Sequence, residues 1–500
     1  MSVDWPRLGE LMLAHLRLSL WALLLGAAIS LPLGVAAARR PALERAALAV
    51  ASVIQTIPGL ALLAIMVPAL AALGAFGLEL PSIGALPAVL GLTLYSLLPM
   101  LRNTVVGIAE VDESVKRAAL GVGMTPGQRL RRVELPLAAP VIVAGLRTAT
   151  VWTVGMATLA TPVGASSLGD LIFGGLQTRD HGAVLAGCLG SAALALALDG
   201  LIRAAELGAR TRRPRLWAPA AAALGALCLY ALASPLAGLA GGERPLRVGA
   251  KPFTEQYVLA ELVAQRAGAP TEVMRSLGSN VAFEALAAGD LDLYVEYTGT
   301  VWTALMGRED RAPREALNAE VEAWLRDEHD VVVVARLGFE NAYALAVRSP
   351  EDGGPRITRI SELAPLAPSM EVGGDYELFG RGEWRSLEER YGLRFEAQRT
   401  MDPTLLYEAI DAGQVDVIGA YTTDGRVAAY DLRVLEDDRD AIPPYDAVLI
   451  ANGAFARGRP ALIARLRTLE GRIDDDAMRA MNRAVDVDGE TPARAAARHR

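Results

Sequence analysis

Residues 294–300 read YVEYTGT, with Tyr294 and Tyr297 beside Glu296 and a threonine-glycine-threonine turn. A tyrosine at a strand end can finish a core, or it can show its ring face to a cation. The quadrupole of such a face attracts a quaternary ammonium by about 0.5–2 kcal/mol when water is excluded. That cation has no N–H, so no hydrogen-bond acceptor is needed. A ligand that also carries a carboxylate calls for a nearby lysine or arginine, completed by hydroxyl or backbone donors. Lys251 and Thr300 are such groups, close in sequence to tyrosine-rich strand ends. Side chains alternate along a strand, so Tyr294 and Glu296 share one face and Tyr297 takes the other. Tyr294 is therefore expected to pack, and Glu296 to lie at the surface or behind a site.

The elements that must position these residues are legible from residue 246 onward. LRVGA reads as a strand and YVLAELVAQRAG as a helix with an apolar stripe. Strands and helices then alternate, which points to α/β layers, and residues 241–500 are enough for two lobes around a cleft. Two stretches echo each other: EALAAGDLDLYVEYTG and EAIDAGQVDVIGAYTTDG. Each reads as helix, glycine stop (Gly289 or Gly413), aspartate-containing strand, then tyrosine and threonine. Tyr297 and Tyr421 are thereby expected at equivalent positions in opposite lobes.

Residues 1–240 differ in chemistry. They hold 18 Lys/Arg against 12 Asp/Glu, whereas residues 241–500 hold 31 against 45, with ten of the twelve tyrosines. Apolar runs at 18–38, 48–73, 86–101, 137–163, 182–202 and 216–236 approach the roughly 20 residues that cross a bilayer. Positive charge gathers in alternate connections: Arg39, Arg40 and Arg45; Lys116, Arg117, Arg129, Arg131 and Arg132; then Arg203, Arg210, Arg212, Arg213 and Arg215. By the positive-inside rule this gives about six spans, an external N-terminus and three cytoplasmic loops. Residues 241–500 then lie outside, tethered through LASPLAGLAGGERP. Arg147 and Asp199 fall in or near apolar segments, where snorkelling and a rim position explain them.

Several function classes are excluded by pattern. No G-x-x-x-x-G-K-[ST] phosphate loop occurs. His15, His181, His329 and His499 show no ligand spacing, and Cys188 and Cys228 both sit in expected spans. No metal, cofactor, nucleic acid or catalytic centre is expected.

Segment 114–140, SVKRAALGVGMTPGQRLRRVELPLAAP, reads as helix, tight turn, helix, with Thr125-Pro126 as N-cap and first helical residue. It resembles the coupling loop of ABC-importer permeases through Ala118, Ala119, Gly121, Glu134, Leu135 and Pro136. The resemblance implies that loop 109–136 docks on a separate ATP-binding subunit. Arg117 stands where that signature carries glutamate, which leaves the loop's ion-pair partner open.

VGAKPFTEQYVLAEL, DLDLYVEYTGT, NAYALAV, AYTTDGR and PPYDAVLI extend the likeness. With the coupling loop they make the whole chain resemble the osmoprotectant importers for glycine betaine, carnitine or choline, in the form that fuses permease and binding protein. That resemblance implies an all-α transmembrane domain over 1–240 and a two-lobed periplasmic-binding-protein-like domain (Venus flytrap, type II) over 241–500. It further implies a bacterial or archaeal cell membrane, a paired permease among lipids, and a role in osmotic stress. Its site, carried across, is an aromatic cage of Tyr297, Tyr343, Tyr421 and Tyr445. Lys251 and Arg381 (or Arg385) would hold a carboxylate, and Thr300 would add a hydroxyl.

Two other readings stay open from the residues. An importer for another small polar solute, such as an amino acid, would need an acidic group for the ammonium, and Asp292, Asp416 or Asp446 could serve. A tethered sensor would bind without transport. A bound ATPase subunit separates sensor from transporter.

Overall fold

The computed structural model describes residues 5–74, 80–177, 180–211, 214–239, 244–308, 310 and 312–498. The chain forms two compact units, one built mainly of Ser2–Phe173 with Gly182–Arg244 and the other mainly of Pro245–Arg500. Of the expected linker, residues 240–243 lie outside the described residues, as do Arg212 and Arg213 of the last basic run.

The first unit is built of helices: α1 (Trp5–Ala37), α2 (Pro41–Thr56), α3 (Gly59–Gly74), α4 (Ala85–Ala109), α5 (Glu113–Gly121), α6 (Pro126–Arg129), α7 (Leu135–Met156), α8 (Gly169–Gln177), α9 (His181–Arg210) and α10 (Pro214–Leu239). Among the described residues, Arg7–Ala37, Ala85–Ala109, Pro126–Val163 and His181–Arg210 are long and apolar enough to cross a membrane. Trp217–Ala233 is a shorter apolar helix. The expected span over 48–73 is not one rod, because α2 and α3 meet at a 101° bend. Pro58 is the cause: a proline disfavours helical backbone in the residue before it, and Ile57 is extended at ψ 128°. Pro99, by contrast, sits inside α4 without ending it.

Two polar contacts fix the packing of these helices. His15 on α1 is fully buried; its Nε2 donates to Val154 O at 2.9 Å and its Nδ1 accepts from Leu168 N at 3.3 Å. Arg147 on α7 grips Asp199 on α9 through two hydrogen bonds of 2.7 and 3.0 Å. Arg147 and Asp199, read singly from the sequence, therefore neutralise each other.

The second unit carries two five-stranded sheets. The first orders its strands β2-β1-β3-β10-β4 and the second β7-β6-β8-β5-β9. Their ranges are β1 Leu246–Gly249, β2 Thr271–Met274, β3 Leu293–Tyr297, β4 Val331–Glu340, β5 Tyr343–Arg348, β6 Glu371–Gly374, β7 Ala397–Thr400, β8 Val417–Tyr421, β9 Leu432–Val434 and β10 Asp446–Asn452. Helices α11 (Thr254–Ala267) and α12 (Ser279–Ala287) join the parallel strands β1, β2 and β3. The chain passes to the second lobe at residues 341–342 and returns through 435–445.

The sequence echo is a structural repeat. In each lobe a helix ends at a glycine with positive φ, Gly289 at 77° and Gly413 at 67°, a backbone that glycine adopts without a Cβ clash. An aspartate then precedes the strand: Asp292 accepts from Arg247 N on β1 at 2.7 Å, and Asp416 from Glu371 N on β6 at 2.9 Å. Tyr297 and Tyr421 are the last residues of β3 and β8.

Candidate functional site

The strand ends of the two lobes meet at a cluster of rings. Tyr343 opens β5 and pairs directly with Tyr421 across the β5–β8 ladder. Their ring centroids are 4.9 Å apart, tilted by 36°, and Tyr421 donates a 3.3 Å hydrogen bond to the Tyr343 hydroxyl. Tyr445, just before β10, stands perpendicular to Tyr343 at 6.0 Å. Two perpendicular faces that shared one cation about 4.5 Å from each centroid would stand about 6.4 Å apart. The distance and angle of Tyr343 and Tyr445 are also those of an edge-to-face pair. Gly299 permits it, since a Cβ there would lie 2.5 Å from the Tyr445 ring.

Tyr297 joins this group through a ring that the sequence reading left out. Phe253 stacks with Tyr297 at 6.2 Å and with Tyr421 at 6.3 Å, bridging the lobes. Its signal lay in VGAKPFTEQ: an aromatic residue directly before α11, at the carboxyl end of β1. Thr300 is buried in the helical turn Thr298–Thr300 that follows Tyr297.

The basic residues are placed differently from one another. Arg381 holds its guanidinium 5.4 Å over the Tyr343 ring, and its Nη1 is 3.9 Å from Glu383. Arg385 is exposed. Lys251 is 3% exposed, and its ammonium is engaged by Glu296 while lying 5.5 Å over the Tyr297 ring. Of the two positions expected for Glu296, at the surface or behind a site, the structure shows the second. Its carboxylate is fully buried because it serves three donors: Lys251, the Tyr294 hydroxyl at 2.9 Å and Tyr297 N at 2.8 Å.

Two further carboxylates bridge the lobes. Glu255 on α11 accepts from Tyr297 at 2.6 Å, Asn341 at 2.9 Å, Thr423 at 2.5 Å and Asn482 at 3.0 Å. Burial pushes its pKa up, against the pull of these four hydrogen bonds. Glu383 accepts from the Tyr445 hydroxyl and from Thr303 at 2.8 Å. Burial first, and the adjacent carboxylates second, hold the hydroxyls of Tyr297 and Tyr445 well above the ordinary tyrosine pKa. Beside the cage, Arg426 clasps Asp424 and covers the Tyr407 ring at 4.3 Å.

The carboxylates that an amino-acid ammonium would need are otherwise engaged. Asp292 and Asp416 sit at the start of their strands, where they accept from backbone N–H groups, away from the ends that carry the tyrosines. Asp446 accepts from Asn318 at 2.6 Å and pairs with Arg314.

In the helical unit, the candidate coupling loop is well capped. Asp112 accepts from Ser114 N at 2.7 Å, and Thr125 with Gln128 forms a reciprocal capping box of 2.9 and 3.3 Å. Ala118 and Gly121 are exposed, with Leu120 and Val122 at 51% and 73% exposure, while Ala119 is buried. Glu134 faces inward, 2% exposed, and ties Arg39 at 3.0 Å to Arg129 at 2.7 Å. Leu135 and Pro136 begin α7 directly after it.

Comparison with known proteins agrees with both halves. The substrate binding domain of ABC-type glycine betaine transport systems matches residues 244–500, and the inner membrane component of binding-protein-dependent transport systems matches residues 30–211. The ergothioneine transport permease/ergothioneine binding protein EgtU of Helicobacter pylori (strain G27) is 30% identical over 464 residues, covering 89% of this chain and 81% of that protein. The choline transport system permease protein OpuBB of Bacillus subtilis (strain 168) is 40% identical over 192 residues, covering 38% of this chain and 83% of that protein. A glycine-betaine-binding protein of Pseudomonas aeruginosa is 33% identical over 286 residues, covering 54% of this chain and 91% of that protein. The chain therefore belongs to the ABC-type glycine betaine transport family, as a multi-pass membrane permease that carries its own extracytoplasmic substrate-binding domain and works with a separate ATP-binding subunit.

Proposed function

We propose that this chain receives and imports a zwitterionic quaternary-ammonium solute of the glycine betaine type. The observation that carries the reading is the cluster of Tyr343, Tyr421 and Tyr445 rings, with the Arg381 guanidinium over the Tyr343 ring. A trimethylammonium group fits against such faces without needing an acceptor, and a guanidinium at the rim suits a carboxylate. Arg381 is the favoured partner for that carboxylate, because Lys251 is already engaged by Glu296. Tyr297 and Phe253 complete the wall from the first lobe. Loop 109–136 meets the ATP-binding subunit, and two copies of the helical unit form the pathway.

A second reading is a bulkier betaine such as ergothioneine, favoured by the Helicobacter relative that matches both parts of the chain. Calorimetric titration of the full chain in lipid nanodiscs separates these. The ligands are glycine betaine, choline, carnitine, ergothioneine and alanine. Saturable betaine binding supports the first reading, and binding of ergothioneine alone selects the second. Choline binding without betaine binding removes the carboxylate role from Arg381. A folded chain that binds no quaternary amine overturns both.

A further inference from the structure

Two of the tyrosines proposed as cation walls share a feature that neither their position nor their burial requires. Each donates its phenolic hydrogen to a carboxylate that is itself almost fully buried: Tyr297 to Glu255 at 2.6 Å, and Tyr445 to Glu383. The same pairing occurs elsewhere in the domain, at Tyr294–Glu296 and Tyr407–Asp424, but there a lysine or arginine pairs closely with the carboxylate. At Glu255 no base pairs among the described residues. At Glu383 the Arg381 guanidinium stands off at 3.9 Å, and Oε2 has no hydrogen-bond partner.

Two carboxylate oxygens of Glu255 offer about four lone-pair sites, and Tyr297, Asn341, Thr423 and Asn482 approach them as donors, an arrangement that favours the ionised form. The Tyr297 hydroxyl is oriented as a donor as well, because Gln256 Nε2 donates to its oxygen at 3.1 Å. A phenol that donates to an anion carries extra electron density on oxygen and, by resonance, on its ring. Cation attraction to a ring face is electrostatic and grows with that density. Burial, with its low local dielectric, strengthens such an effect instead of screening it.

We propose that Glu255 and Glu383 are specificity-determining residues that act through Tyr297 and Tyr445, making these faces electron-rich and so selecting a cationic head over a neutral one of the same shape. This rests on the quaternary-ammonium reading above. Neither carboxylate need touch the solute.

The test uses full-length chain in nanodiscs and two ligands of one shape: glycine betaine and 3,3-dimethylbutanoate, in which carbon replaces the ammonium nitrogen. Binding is followed by titration, with the isostere measured by competition where it is weak. Glu255→Gln and Glu383→Gln are each expected to weaken betaine by roughly three- to tenfold, the scale of one cation–π contact, and to leave the isostere unchanged. In the backgrounds Tyr297→Phe and Tyr445→Phe, the respective glutamine substitution is expected to add nothing further. Equal losses for both ligands would overturn the proposal, because that is the mark of a merely structural role. A betaine-selective loss of full size that persists in the phenylalanine background would overturn it in favour of direct charge attraction. Failure of the unaltered chain to bind betaine would instead remove the quaternary-ammonium reading, and this inference with it.

Discussion

Tyr445 stands perpendicular to Tyr343 with ring centroids 6.0 Å apart, Tyr343 opening β5 of one sheet and Tyr445 lying just before β10 of the other. The pair flanks the crossing between the lobes, where Asn341 N donates to Tyr445 O at 3.1 Å. Tyr343→Ala and Tyr445→Ala are each expected to weaken betaine binding by up to about 30-fold, the equivalent of one strong desolvated cation–π contact. Tyr421→Phe, which keeps the ring, is expected to lose only a small part of that. Titration of the three variants checks this.

Lys251 and Glu296 behave as one buried unit. Removing one partner of such a pair typically costs about 3–5 kcal/mol, because the other charge is left uncompensated. Lys251→Met is therefore expected to lower the unfolding temperature of the binding domain sharply. Combining it with Glu296→Leu is expected to recover much of the loss. If Lys251 instead served only a ligand carboxylate, the single variant would lose affinity and keep its stability. Thermal unfolding of both variants, without ligand, distinguishes the two.

Glu255 gives a pH dependence with a definite sign. Its folded pKa is raised by burial, so between the unfolded and folded values the native state binds more protons. Stability tied to this group is fully present below the unfolded pKa, near 4.3, and is lost as pH rises through the folded value. Glu255→Gln, which cannot ionise, is expected to gain stability relative to the unaltered chain on going from pH 4 to pH 8. Unfolding temperatures at both pH values check it; a difference independent of pH would contradict it.

Glu134 offers a test of the cytoplasmic side. It is buried and holds Arg39 and Arg129 together at the end of α1 and in the coupling loop. If loop 109–136 docks on the ATP-binding subunit as proposed, Glu134→Ala is expected to leave solute binding intact and to reduce solute-stimulated ATP hydrolysis severalfold. Exposed Leu120 and Val122 fit a docking surface, so Leu120→Asp is expected to reduce subunit association, measured by co-purification.

The repeat around Tyr297 and Tyr421 was legible because its signals are local: a glycine stop, an aspartate, an apolar strand and a terminal tyrosine. The helix-turn-helix shape of segment 114–140 was legible for the same reason, through its cap at Thr125 and its Leu135-Pro136 entry into α7. What the sequence did not reveal depends on neighbours far along the chain. Alternation leaves Glu296 either at the surface or behind a site, and only Lys251, 45 positions away, decides for the buried one. Arg147 and Asp199 read as separate rim charges because nothing local pairs α7 with α9. Phe253 bridges two lobes whose approach only the fold defines. The break at Pro58 was present in the letters but hidden by continuous hydrophobicity on both sides.

The most direct measurement is a crystal structure of the chain with glycine betaine bound. The expected result is a quaternary nitrogen within about 6 Å of the ring centroids of Tyr343, Tyr421 and Tyr445, with the carboxylate at Arg381. Density for the solute away from these rings, such as against Glu436 and Asp437 in the groove of about 750 Å³ that Tyr343 also lines, would contradict the aromatic cage.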